Sequence, residues 1–317
     1  MAESRIESLS RFVRDQRRRS RAVQKVREGG IISTLVFSGL FSILVTATII
    51  IVLGRETIYF FLSEEVSLGE FFLQTQWNPL LGADKHFGIW PLISGTLLVT
   101  AIAMLLAIPL GLITAIFLSE YAPPRLRSIL KPALEILAGI PTVVYGFFAL
   151  VFLTPTLKWF DDGFGSYNAG AAGIAVGVLC LPIVTSLCED ALRAVPRSLR
   201  EGALGLGATK FDTSIKVVVP AALSGIISAI LLAIARAIGE TMIVALAAGA
   251  TPKLTVDPRE SIQTMTGYMV QMALGDVTNF GVEYFSMYAV AATLFVLTFS
   301  LTIIGQLIRM RFREAYQ

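Results

Sequence analysis

Cysteine and histidine are almost missing from this chain: Cys180, Cys188 and His86 are the only ones. Two thiols in or beside one hydrophobic segment make no disulfide framework. A single histidine in a separate loop, without companion ligands, makes no zinc site. Charge is scarce as well. Charged types supply 15% of the 317 residues, hydrophobic types supply 55%, and mean hydropathy is +0.71. A soluble domain of this length would need more charge to cover its surface. A nucleotide-binding loop is also lacking. No G-x-x-x-x-G-K-[ST] occurs, and the glycines of 202–207 run into Ala208 and Thr209 instead of Lys. No cofactor is therefore expected on this chain, and ATP with its Mg belongs on another one.

What the chain does have is long apolar blocks, each near the ~20 residues that cross a bilayer. Six are expected: Ile31–Leu53, Leu92–Leu118, Pro132–Thr154, Ala169–Cys188, Pro220–Ala248 and Met287–Ile308. The expected fold is an all-α integral membrane bundle of six transmembrane helices. Its basic N-terminal segment is 1–30, its membrane domain 31–308 and its tail 309–317. Arg11, Arg14, Arg17, Arg18, Arg19, Arg21, Lys25 and Arg27 crowd the first segment. Lying just before a span, they read as an anchor on anionic membrane lipid rather than a nucleic-acid contact. That charged stretch, and the block after it, are too long for a cleaved signal peptide. Of the 26 Lys and Arg, nine fall in the N-terminus, three between the second and third blocks, five between the fourth and fifth, and three in the tail. The positive-inside rule then places both termini in the cytoplasm. The outside loops 54–90 and 250–286 are long enough to dock a partner or simply to cap the bundle. The first carries Glu56, Glu64, Glu65, Glu70 and Asp84.

The inside loop 190–219 holds the densest pattern. Pro196 suits the start of a short helix, and Leu199 and Ala203 would share one face of it. Gly205 and Gly207 would break it with positive φ. Thr209 with Asp212 three residues on reads as the N-cap of a second helix, and Pro220 opens the fifth span. Two short helices on a glycine turn form a knob that a cytoplasmic motor can push. This stretch resembles the signature of ABC importer permeases: Glu-Ala-Ala, three residues, Gly, nine residues, Ile-x-Leu-Pro. Here Glu201-Gly202-Ala203 is followed at those spacings by Gly207 and Val217-Val218-Val219-Pro220. Gly202 replaces an Ala and costs about 1 kcal/mol in helix propensity. The resemblance implies the type I importer permease fold, and makes Glu201, Gly202, Ala203, Gly207 and Pro220 the ATPase-coupling residues.

Arg236 and Glu240 sit one turn apart inside the fifth block. A mid-membrane charge costs on the order of 3 kcal/mol, so the pair should face protein or a pore. Arg236 can offer a planar donor fork to a tetrahedral oxyanion. Glu240 can hold that fork, repel a misplaced anion or accept a proton. An ion pair that only fixes helix packing satisfies the same physics. In the third block Gly139, Pro141 and Gly146 interrupt regular helix, either along a wet path offering the Thr142 and Tyr145 hydroxyls or as packing glycines. Glu135 reads as an interfacial acid.

Four further segments are similar to the PstC-type permease of the phosphate-specific transport system: Phe87–Thr96, Ser119–Pro123, Leu137–Phe148 and Ala235–Met242. This resemblance covers roughly Trp77 to the C-terminus. It implies an inorganic phosphate importer of the bacterial cytoplasmic membrane, with Arg236, Glu240, Thr142 and Tyr145 along the path. It also implies a second, PstA-like permease, a dimeric ATP-binding subunit and an external phosphate-binding protein. A sulfate or molybdate permease and an ion-coupled secondary transporter are the other readings.

Overall fold

The computed structural model describes the backbone of residues 2–79, 85–275 and 281–311, and the side chains of these except 2–27, 309 and 311. Asp84, the side chains of the N-terminal basic cluster and the end of the tail lie outside the described residues. The elements in chain order are α1 (Ala2–Leu62), α2 (Leu68–Leu73), β1 (Trp77–Asn78) and β2 (His86–Phe87). There follow α3 (Trp90–Ile116), α4 (Pro124–Ala138), α5 (Thr142–Phe148), α6 (Thr154–Phe160) and α7 (Ala169–Ala194). Next come α8 (Arg197–Gly205), α9 (Lys210–Thr213), α10 (Val219–Ala221), α11 (Leu223–Ile238) and α12 (Met242–Ala247). The last two are α13 (Met265–Leu274) and α14 (Val282–Arg311). Five helical stretches among the described residues are long and apolar enough to cross a membrane, and six if one bent pair counts as a span. Residues Met1–Arg55 form one unit, and Glu56–Gln317 form a second that contains the functional candidates.

Two of the expected spans are built differently. The third does not begin at Pro132. Residues Pro124–Ala138 form α4, an amphipathic helix with no buried residue, and the span is Thr142–Phe160. The break is Gly139-Ile140-Pro141: Pro141 has no N–H to continue a helix and drives Ile140 out of the helical region. The fifth is not continuous from Pro220 to Ala248. It bends by 70° between Lys210–Ala221 and Leu223–Ile238, then breaks again at Gly239–Thr241 before α12. Apolar content marks membrane depth and is blind to such interruptions. The fourth span continues past Cys188 to Ala194, and the sixth starts at Val282. The two long loops hold α2, the β1–β2 hairpin and α13.

In the second unit α7 is the central helix. Its most apolar stretch is 67% buried, against 11% for α14. Its orphan N–H groups are all satisfied: Ala169 and Gly170 donate to the carbonyls of Glu260 and Pro258, and Ala171 donates to the Asn168 side chain. The crossing of α7 with α3 is close because small residues line it, as expected where van der Waals contact replaces a hydrophobic drive. A Cβ at Gly173 would lie 2.6 Å from Cβ and Cγ2 of Ile102. Gly173→Leu is therefore expected to lower the melting temperature in detergent and the yield of folded chain. Overpacking of this kind costs about 1–3 kcal/mol, and an unchanged melting profile would count against the tight crossing. At one end, Phe60, Phe71, Trp77, Phe87, Met265 and Tyr268 form a separate aromatic-rich core. There the Tyr268 and Ser286 hydroxyls pair at 2.6 Å.

Candidate functional site

The intramembrane charge pair is made by the break after α11. Gly239 ends that helix, Glu240 lies in the gap, and α12 starts at Met242. A helix that starts inside a protein leaves N–H groups without partners. Glu240 fills that need: its Oε1 accepts from the N–H groups of Met242 at 3.2 Å and Ile243 at 3.4 Å. Its Oε2 accepts from Nη1 of Arg236 at 2.7 Å. The Glu240 carbonyl accepts from the Thr266 hydroxyl at 2.7 Å. The carboxylate is thus fully engaged and only 2% exposed, while the Arg236 side chain is 39% exposed. Of the functions open to Glu240 from sequence, this geometry is that of a holder. Among the described residues only Nη1 of the Arg236 guanidinium makes a side-chain hydrogen bond.

The remaining candidates on the third span divide. Thr142 opens α5 and is half-buried. Tyr145 is buried, and its hydroxyl donates to the Leu137 carbonyl at 2.7 Å, tying α5 back to α4 across the Gly139–Pro141 break. That proton is spent on backbone. Gly146 lets α5 approach α12, since a Cβ there would lie 3.1 Å from Cα of Ile243. It thereby brings this span against the segment that Glu240 caps.

The knob follows the expected order with one change. Helix α8 ends at Gly205, which stays helical, and Gly207 alone takes positive φ, +87°. The N–H of Ala208 bonds the Ala203 carbonyl at 3.1 Å, and that of Gly207 bonds the Leu204 carbonyl at 3.0 Å. This crossed pair is the Schellman stop, in which glycine is favoured at the left-handed position. Thr209 then caps α9, accepting from the Asp212 N–H at 3.1 Å. Glu201 and Gly202 are exposed, Ala203 is half-buried, and Pro220 is exposed in α10 beside the 70° bend. At the tip Leu206 is 91% exposed.

Two features escaped sequence reasoning. Arg200 clamps the knob: Nε and Nη2 bind the Glu120 carboxylate at 3.2 and 3.1 Å, and Nη1 and Nη2 bind the carbonyls of Val195 and Leu192 at 2.6 and 2.8 Å. Its signal was the charge at Glu120 within the Ser119–Pro123 segment. Glu189, fully buried on α7, faces Arg127 at 2.5 Å and Lys131 at 3.3 Å, both on α4. These ion pairs, with Leu137 packed against the core and bonded by Tyr145, hold a helix that buries no residue of its own. At the far end of α7, outside the spans, the Arg259 guanidinium holds the Asp257 carboxyl down at about 2.

The second unit thus carries a broken charged span and a projecting two-helix knob. The chain belongs to the family described as binding-protein-dependent transport system inner membrane component, which matches residues 107–314. It is an ABC importer permease, a multi-pass protein of the cytoplasmic membrane. It is 36% identical to the probable ABC transporter permease protein YqgH of Bacillus subtilis (strain 168), over 89% of this chain and 90% of that one. It is 32% identical to the phosphate transport system permease protein PstC of Mesorhizobium japonicum, over 83% and 86% of the two chains. Among solved structures, a permease of a bacterial ABC transporter that imports alginate superposes with a TM-score of 0.65 at 12% identity, covering 93% of this chain and all of that one. An inward-facing crystal form of the MetNI methionine transporter gives 0.55 at 19% identity, over 71% and 98%. These two likenesses concern the fold.

Proposed function

We propose that this chain translocates inorganic phosphate as the PstC-type half of a permease pair. The observation that carries the reading is the Arg236 guanidinium, anchored on one side by buried Glu240 and open on the other. A planar fork with one arm fixed is preorganised for a tetrahedral oxyanion. The relatives named as phosphate permeases support the choice of anion. The partners are a PstA-like second permease, a dimeric ATP-binding subunit carrying ATP and Mg, and an external phosphate-binding protein. Both termini lie in the cytoplasm. The knob from Glu201 to Pro220 meets the ATPase at its tip, with exposed Glu201 and Leu206 at the contact and the Schellman stop at Gly207 setting its shape. Arg200 passes ATPase movement to the ends of the second and fourth spans through Glu120, Leu192 and Val195. Thr142 lines the path at the start of α5, while Tyr145 holds the bend of the third span.

A second reading, another oxyanion such as sulfate or molybdate, is kept because the name of the Bacillus subtilis relative specifies no substrate. The test is labelled phosphate uptake in cells lacking their own high-affinity system, with this chain and its three partners expressed together. ATP-dependent uptake that excess sulfate and molybdate leave unchanged is the expected result. Carriage of one of those anions in place of phosphate would keep the importer and overturn the substrate.

A further inference from the structure

An open cavity lies away from the charge pair and the knob tip. It has a volume of about 550 Å³ and is lined by Ile113, Ile116, Phe117 and Tyr121 of the second span and by Thr209, Lys210, Phe211 and Ile215. Residues 113, 116, 117 and 121 share one helical face, so the groove runs roughly 12 Å along the span at 1.5 Å per residue. Ile113 at one end is 65% exposed, and Phe211 on the opposite wall is 66% exposed. The polarity is one-ended. Apolar side chains line the length within the span, and the cation is at the mouth, where Lys210 Nζ stands 5.0 Å from the Tyr121 ring centroid. Arg125, four residues beyond Tyr121, is also exposed. Among the described residues neither Lys210 nor Arg125 has a carboxylate partner, whereas Lys216 is paired with Asp212 at 2.6 Å.

We infer that this groove is a binding site for one anionic phospholipid of the leaflet on the knob side. An acyl chain fills the apolar channel from Tyr121 toward Ile113, and the phosphate of the headgroup meets Lys210 at the mouth. A soluble ATPase does not reach Ile113, two turns inside the span. A purely apolar helix of a second permease would cover the wall but supply no counter-charge to Lys210. Basic pockets beside spans at the membrane surface hold lipid headgroups for this reason. Because the groove borders α9, an occupied site also braces the base of the knob.

The test uses the complete transporter, reconstituted in discs of phosphatidylcholine with phosphatidylglycerol as the anionic probe. Native mass spectrometry then reads which lipid stays bound after release. The wild type is expected to retain phosphatidylglycerol in preference. Lys210→Gln should lower that preference about fivefold, the worth of one lysine near an anionic headgroup, and Lys210→Arg should keep it. Ile215→Trp fills the channel and should reduce retention of both lipids. An unchanged preference in Lys210→Gln would overturn the site. So would a wild-type complex that retains no lipid, or cross-linking of the Phe211→Cys variant to the second permease.

Discussion

Arg236→Gln is expected to cut ATP-driven uptake roughly 10- to 100-fold, the worth of charge-assisted hydrogen bonds to the anion, while the transporter still assembles. The same change also strips Glu240 of its cation. Two backbone N–H groups still hold the Glu240 carboxylate, and Arg236 is 39% exposed, so the stability loss is expected at about 1–3 kcal/mol, below that of a fully buried pair. The double change Arg236→Gln with Glu240→Gln separates the two effects. It removes both charges, keeps side-chain amides at hydrogen-bonding distance, and should recover most of the melting temperature without recovering uptake. Wild-type uptake in Arg236→Gln would return the pair to a packing role and leave the fold assignment untouched.

The second large effect is expected at Gly207. Its φ of +87° is strained for any side chain, and most for a β-branched one. Gly207→Val should cost about 1–3 kcal/mol locally and open the Schellman stop, so that α8 and α9 lose their fixed angle. A Cβ there meets nothing within 4 Å, so insertion of the chain should persist. The result expected is a complex that binds nucleotide but whose hydrolysis no longer responds to loaded binding protein. Gly202→Ala is the matching control. It too meets nothing within 4 Å, it lies within α8, and it gains about 1 kcal/mol of helix propensity. Coupling should survive it. Substrate-stimulated hydrolysis at the wild-type level in Gly207→Val would remove the knob from the coupling role.

These two sites were legible in sequence to different degrees. The knob was nearly complete: Pro196, Gly207 and Thr209 with Asp212 each act through local backbone chemistry, and each took its expected place. Gly205 differs because one left-handed residue is enough to end the helix. Arg236 and Glu240 were visible as charges that membrane cost forces into contact, and they pair at 2.7 Å although Glu240 lies just past the end of α11. That Glu240 would be spent on α12 was not visible, because it depends on the chain breaking at Gly239–Thr241. Nor was the partner of Tyr145 visible: the Leu137 carbonyl, whose helical donor Pro141 cannot supply, accepts from the Tyr145 hydroxyl as well as from the Ile140 N–H.

The amino-acid sequence by itself determined the membrane class, the approximate location of most of the apolar segments and the local turns of the knob, and its motifs carried the resemblance to the permease family. The first three rest on composition or on contacts a few residues apart. The tertiary structure decided what joins distant residues. It set the third span at Thr142, bent the fifth by 70°, bound Arg200 to Glu120 across 80 positions, and buried Glu189 against Arg127 and Lys131. The physical reason is that a buried charge or an orphaned carbonyl must find a partner wherever the fold brings one, and no local spacing says where that is.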